Sequence, residues 1–163
     1  MIAIAVMAYV TLARLVEMVI ARTNTARLMA LGAKEHAPGH YPVILVMHVS
    51  WLALLWWHAP AASISWGWLA VFAALQPLRI WVMAALGPRW TARIVTVPGE
   101  TLVRTGPYRF LRHPNYAIVV GEIASLPLAF GWVGMAVVYS LLNAGMLAIR
   151  IRAEDAALAP LRG

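Results

Sequence analysis

The stretch Gly106-Pro107-Tyr108-Arg109-Phe110-Leu111-Arg112-His113-Pro114-Asn115-Tyr116 gathers an imidazole, three guanidinium or amide side chains and two phenols within eleven residues. Each proline fixes its own φ and disfavours helix at the residue before it. His113 is therefore expected in a non-helical backbone, with Pro114 in the first turn of a helix that follows. Cationic side chains and unpaired backbone N–H groups around one point suit an anionic or zwitterionic ligand. Tyr and Arg alone would be explained by anchoring at a membrane surface. That reading does not call for a histidine flanked in this way.

A second polar stripe lies near the C-terminus. At 100° per residue, Asn143, Arg150 and Glu154 project within about 20° of one line along a helix, with Arg152 on the opposite side. Arg150 and Arg152 fit a helix end whose cations snorkel to an interface. Glu154 and Asp155 fit less well, because acids near a helix C-terminus oppose its dipole; a site that needs carboxylates accounts for them. A third set, Arg14, Glu17, Gln76, Arg79 and Glu122, interrupts otherwise apolar runs. Ionisable groups in such runs are costly and tend to mark functional interiors. Arg14 and Glu17, three apart on one helix face, are expected to pair and pin the bundle.

The elements that carry these residues belong to a membrane. Hydrophobic residues make up 63% of the 163-residue chain and charged ones 12%, far from the globular average. Apolar runs at Ile2 to Ile20, Pro42 to His58, Trp66 to Leu86 and Trp132 to Ile149 reach or approach the roughly 20 residues that cross about 30 Å of hydrocarbon. A shorter run, Tyr116 to Phe130, carries Glu122 and Pro127 and is expected to tilt, to thin the bilayer or to form a hairpin with the last run. The expected fold is a single all-α integral membrane domain, residues 1–163, with about five transmembrane helices. Eleven of the thirteen basic residues, Arg162 included, fall on one side of that layout. Since Lys and Arg stay inside, the N-terminus is expected to be extracytoplasmic and the C-terminus cytoplasmic, in a bacterial inner membrane. Met1 to Ala21 lacks a basic n-region and is expected to remain as a mature span rather than a cleaved signal.

The long polar connection Gly87 to Asn115 falls between the third and fourth runs, on the cytoplasmic side. Within it Thr91 to Thr105 alternates β-branched and polar residues around Pro98-Gly99, which predicts a strand, a turn and a second strand. Several function classes are excluded or disfavoured. The absence of cysteine removes disulfides, thiolate metal sites and a cysteine nucleophile. The five histidines show no metal spacing, so no metal is expected. The net charge of +7 is spread between apolar runs rather than over an aromatic-interleaved soluble surface, which speaks against nucleic acid. No Gly-x-Gly-x-x-Gly loop follows a strand, so a soluble nucleotide-binding domain is not supported.

Gly106-Pro107-Tyr108 followed by Arg112-His113-Pro114-Asn115-Tyr116, and later Arg150-x-Arg152-x-Glu154-Asp155, resembles the isoprenylcysteine carboxyl methyltransferase family. Its members are membrane methyltransferases that use S-adenosylmethionine. The resembling region runs from Gly106 to Leu158. The N-terminal half is similar, through Glu17, Asn24, Gly32, Glu35 and His40-Tyr41-Pro42, to a bacterial branch linked to methylation of alkylpyrones. The resemblance implies that Tyr108, His113, Pro114 and Tyr116 line a cofactor pocket and that Glu154 and Asp155 bind the cofactor's polar groups. Asp155 stands where the family often has a second Glu. Arg150 or Arg152 would hold the cofactor carboxylate or orient a lipophilic acceptor, prenylated or otherwise, arriving among membrane lipids, and Arg112 beside His113 belongs to the same candidate site. Many relatives continue past the position of Gly163, so closure of the pocket is expected from elsewhere in the chain. Membrane sterol and steroid reductases carry a similar Arg-His-Pro-Asn-Tyr string with an acid further on, a part Glu122 could play with NADPH; the Arg-x-Arg-x-Glu-Asp ending is closer to the methyltransferases. A non-enzymatic membrane module would show inverted repeats or helices broken at midplane, and neither is evident.

Methyl transfer from a sulfonium is an in-line displacement that asks chiefly for positioning and charge matching. A carboxylate or acidic enol acceptor needs no base, since it is already ionised beside an arginine. For a plain hydroxyl acceptor, His113 or Glu122 would be the candidate base.

Overall fold

The computed structural model describes residues 1–161; Arg162, one of the one-sided basic residues, lies outside them. Five helices follow the five apolar runs: α1 (Ile2–Ala30), α2 (His40–His58), α3 (Trp66–Leu86), α4 (Pro114–Ala129) and α5 (Val133–Leu158). Helices α1 and α5 continue well past their apolar stretches. Among the described residues four helical stretches are long and apolar enough to cross a membrane: Ile2–Ala30, His40–Ala61, Trp66–Arg89 and Val133–Leu161. Their large apolar side chains point outward, as at Leu12, Val16 and Val19 of α1, Val43 and Val46 of α2, Ile80 of α3 and Leu141 and Leu142 of α5. Lipid is the solvent that such a surface fits.

Helix α4 differs in kind. Its 16 residues rise about 24 Å, short of the hydrocarbon thickness. It packs against α3 and α5, and Ile118, Glu122, Ile123, Ser125, Leu126, Pro127 and Ala129 are buried along it. Protein, more than lipid, surrounds this helix. Gly121 permits the close approach to α3: a Cβ there would lie 2.8 Å from Leu75 Cδ1. The α4–α5 connection is tied to the α2–α3 connection, with Ser65 N donating to Ala129 O at 2.8 Å and His58 Nε2 bonding Phe130 O at 3.1 Å. The His58 ring also lies tilted against Trp132, with centroids 4.5 Å apart.

The interior is layered along the helix axes. Met7, Val10, Leu55, Phe72, Leu126, Phe130 and Tyr139 form one apolar core. Ala21, Val82, Trp90 and Ile118 form a second. Arg14 and Glu17 of α1, Gln76 and Arg79 of α3 and Glu122 of α4 fall between the two in sequence on each helix, and they meet. Arg14 pairs with Glu17 at 3.0 Å, and Arg79 reaches Glu17 at 3.5 Å. Arg79 makes a two-pronged bond to Glu122, through Nε at 3.1 Å and through Nη2. Gln76 Nε2 and Arg14 Nη2 add contacts to Glu122 at 3.0 and 3.4 Å. Two arginines and two glutamates cancel, as buried charge must.

The connections differ from an all-α expectation in one respect. Strand β2 (Ile94–Thr96) forms, but its partner is β1 (Lys34–His36) of the first connection, antiparallel with Glu35 opposite Val95. Among the described residues no strand follows Pro98-Gly99. Asn24 Nδ2 donates to Gly87 O and Trp90 O, and Arg150 Nη2 donates to Ala92 O. The first connection, the third connection and the end of α5 therefore meet at one end, and the basic residues meet there too.

Replacing Arg79 with Leu strands Glu122 between apolar layers and should cost about 3–5 kcal/mol of stability. The double change Arg79→Leu with Glu122→Leu should recover much of that loss. Thermal unfolding of the purified chain in detergent measures both; a double variant no more stable than Arg79→Leu would refute the view that Glu122 depends chiefly on Arg79.

Candidate functional site

At the basic end the chain encloses a cavity of about 470 Å³, within the roughly 300–1,000 Å³ typical of small-molecule sites. One wall comes from the segment before α4. There Gly106 has φ +58, and a Cβ on it would lie 3.0 Å from Ala85 Cβ and 3.3 Å from Trp81 Nε1, so only glycine lets the segment seat against α3. Pro107 then opens a short 3-10 turn, Gly106–Arg109, that turns Tyr108 to the cavity. Burial, aided by the Glu154 carboxylate, pushes the Tyr108 phenol above its usual pKa range and keeps it a neutral donor.

His113 precedes α4 at φ −129 and ψ 61, non-helical as the flanking proline requires, and Pro114 starts the helix. The imidazole stacks on Tyr116, with ring centroids 5.3 Å apart and planes 14° from parallel. Tyr116 is the hub of the site. Its hydroxyl donates to Glu154 Oε2 and accepts from Arg150 Nε at 2.8 Å. Arg150 is buried, and its remaining reach goes to Ala92 O at 2.8 Å. Helix α5 thus presents a fixed guanidinium and a fixed carboxylate, four residues apart on one face, to the start of α4. His113 Nδ1 stands 3.9 Å from Glu154 Oε1, and Nε2 stands 3.4 Å from Asp155 Oδ1. That nitrogen is buried, and it makes no well-aligned hydrogen bond at that distance, so its hydrogen-bonding capacity is unspent.

Six residues singled out in the sequence line this one cavity: Tyr108, Arg112, His113, Tyr116, Arg150 and Glu154. Pro114 is buried behind the wall, at the helix start. Asp155 flanks His113. Glu122 lies away from the cavity, in the charge layer with Arg79 and Arg14. Asn115 joins the two regions, since it lines the cavity while its Oδ1 accepts from Arg79 Nη1 at 3.3 Å. Sequence reasoning passed over Asn115 although it stands inside the motif. It also passed over the Ala92 carbonyl, a backbone group that no residue type announces.

The remaining wall is β2 and its flanks. Ile94, Val95, Val97, Leu102 and Val103 supply apolar surface, and Arg89 and Arg104 are among the charged lining residues. The arrangement can hold a flat apolar group against β-branched side chains, a cation beside Glu154, and an anion beside Arg112 or Arg150.

The model of the isoprenylcysteine carboxyl methyltransferase (ICMT) family matches residues 68–160, which includes most of the cavity wall. The chain is also 40% identical over 154 residues to the uncharacterized protein YpbQ of Bacillus subtilis (strain 168), covering 89% of each chain. No solved structure matches.

Tyr116→Phe tests the hub. The change deletes one oxygen that serves both Arg150 and Glu154, and hydrogen bonds to charged groups contribute about 1.5–3 kcal/mol. Thermal unfolding without added ligand should show a loss of that order. An unchanged midpoint would mean that the two charged groups do not depend on the phenol.

Proposed function

The chain belongs to the isoprenylcysteine carboxyl methyltransferase family, and from that premise we propose that it moves a methyl group from S-adenosylmethionine to a lipophilic acceptor at the cytoplasmic face of the membrane. The family and the four apolar helices make it a membrane methyltransferase. The acceptor group on this reading is a carboxylate or an acidic hydroxyl. The observation that carries it is the convergence of His113, Tyr116, Arg150 and Glu154 on a single cavity at the basic end.

The donor set suits the cofactor. Its ammonium and ribose hydroxyls need acceptors, which Glu154 and Asp155 provide, and its carboxylate needs a cation, which Arg112 or Arg150 provides. The unspent Nε2 of His113 offers one further polar contact. The β-branched wall gives an adenine ring apolar faces to lie against. When bound, S-adenosylmethionine supplies a methyl group on a positively charged sulfur. Everything else is positioning by the chain. Tyr108, His113 and Tyr116 shape the pocket, and Pro114 holds His113 out of the helix. Whichever of Arg150 and Arg112 the cofactor carboxylate leaves open stabilises an ionised acceptor oxygen, so no proton has to be removed from a carboxylate or an acidic enol. Glu122 acts from a distance on this reading. Through Arg79 and Asn115 it steadies the turn that carries His113, and it serves as a base only for an acceptor that reaches the charge layer.

Eleven basic residues on one side of the layout support placing that end in the cytoplasm, where the cofactor is made. A lipophilic acceptor reaches the same depth from the bilayer, and a bacterial cytoplasmic membrane accommodates both routes.

A cofactor screen decides the matter. S-adenosylmethionine or its demethylated product, at 100 times its Kd, should stabilise the detergent-purified chain by about 2.7 kcal/mol. His113→Ala should abolish the shift while the unliganded midpoint stays close to the parent's; Glu154→Ala should abolish it too, with a lower unliganded midpoint because the Tyr116 hydroxyl loses its charged acceptor. Stabilisation by NADPH alone would replace this proposal with a reductase. Methyl transfer to a lipid extract would then identify the acceptor.

A further inference from the structure

The family model begins at residue 68, yet several residues before it act on the site. Asn24 of α1 binds Gly87 O at 3.2 Å and Trp90 O at 2.9 Å. Glu35 of β1 takes Arg93 Nη1 on both carboxylate oxygens, at 3.0 and 2.8 Å. The Tyr41 ring lies 4.9 Å from Arg93 Cζ, a cation–π contact on the same guanidinium. His36 Nε2 meets Thr96 Oγ1 at 2.8 Å. Every one of these contacts falls between Gly87 and Thr96, the stretch that roofs the cavity.

That roof has little to hold it otherwise. A two-stranded ladder of three residues a side is marginal on its own. The segment matters because Ala92, directly before Arg93, lends its carbonyl to Arg150 Nη2. Arg150 in turn donates to Tyr116, which holds Glu154. A continuous run of contacts therefore leads from Glu35 and Tyr41, through Arg93 and Ala92, to the charged pair on α5. The Glu35–Arg93 pair is 18% and 40% exposed at its side chains, and pairs open to solvent contribute little to global stability. Instead, Nη1 shared between both carboxylate oxygens and the Tyr41 ring against the same guanidinium together confine Arg93 to one direction.

We propose that Glu35, assisted by Tyr41, is a positioning residue of the methyltransferase site: it clamps Arg93 so that the Ala92 carbonyl holds Arg150 in the orientation that serves the cofactor pocket. The proposal rests on the cofactor reading above. It assigns to the first connection a task that the matched family region does not contain. Glu35 does not itself line the cavity and acts only through Arg93 and Ala92.

Two measurements on the full chain in detergent test it. The first is calorimetric titration with S-adenosylhomocysteine. Glu35→Ala should weaken binding roughly tenfold, a loss in the range of one charged hydrogen bond, and leave the unliganded melting midpoint nearly unchanged. Glu35→Gln, the milder change, should fall between. Arg150→Lys keeps the charge but not the forked bonds, so adding Glu35→Ala to it should cause no further loss. Multiplying losses in that double variant would overturn the coupling, because contacting residues in one chain of interactions must be non-additive. The second measurement is hydrogen exchange at the 94–96 amides without any ligand, which should quicken about tenfold in Glu35→Ala. Unchanged exchange would overturn the clamp whether or not the cofactor binds. A parent chain that binds no S-adenosylhomocysteine, with exchange still quickened, would sink the cofactor reading and leave the clamp standing.

Discussion

The Arg79–Glu122 pair is the constraint around which the rest is arranged. Neither charge can leave its helix, water is remote, and an unpaired ion among apolar layers is expensive. The two must therefore meet, which fixes α3 against α4 at one depth and one rotation. Glu17 and Arg14 extend the same requirement to α1. Lipid supplies no hydrophobic drive between helices, since its tails are as apolar as leucine. A neutral polar layer with few alternative pairings gives the bundle its register instead.

That register reaches the cavity in a single step. Arg79 spends its Nη1 on Asn115, and Asn115 stands two residues after His113 and one before Tyr116. The depth at which α4 is held thus decides where the imidazole and the phenol stand relative to α5. Gly121 allows α4 to come close enough for the pairing. The shortness of α4 follows as well: a helix enclosed by protein at its middle has no need to span the hydrocarbon, and its residues are free to begin where the site needs them.

Much of this was legible in the sequence, for identifiable reasons. Composition gives the spans because twenty apolar residues have few other uses, and the third run, Trp66 to Leu86, coincides with α3. The proline pair around His113 gives the local backbone because its restrictions are steric and need no tertiary context. The stripe of Asn143, Arg150 and Glu154 is a consequence of helical pitch, and the first two are indeed buried. Pairings between distant segments were not legible. Nothing in Thr91 to Thr105 says that its strand will pair with Lys34–His36 instead of folding on itself, because a three-residue edge accepts any partner that the helices deliver. Arg79 and Glu122 were visible as costly residues, but their mutual contact depends on the packing of α3 on α4. A backbone acceptor such as Ala92 O leaves no trace in residue type at all.

The arginines at the basic end divide along these lines. A cation that only orients a membrane protein needs to be on the correct side, and its exact position is free. Arg22 and Arg27 meet that description, being exposed on the last turns of α1. Arg150 does not. It is buried, its Nε and Nη2 each have one defined acceptor, and the acceptors come from α4 and the third connection. Arg93 occupies a middle position, half exposed yet clamped on both carboxylate oxygens of Glu35. Orientation by charge would tolerate lysine at all of these places, whereas a forked guanidinium bridging separate segments cannot be replaced by an ammonium. The difference between the two kinds of arginine is therefore one of geometry rather than of charge.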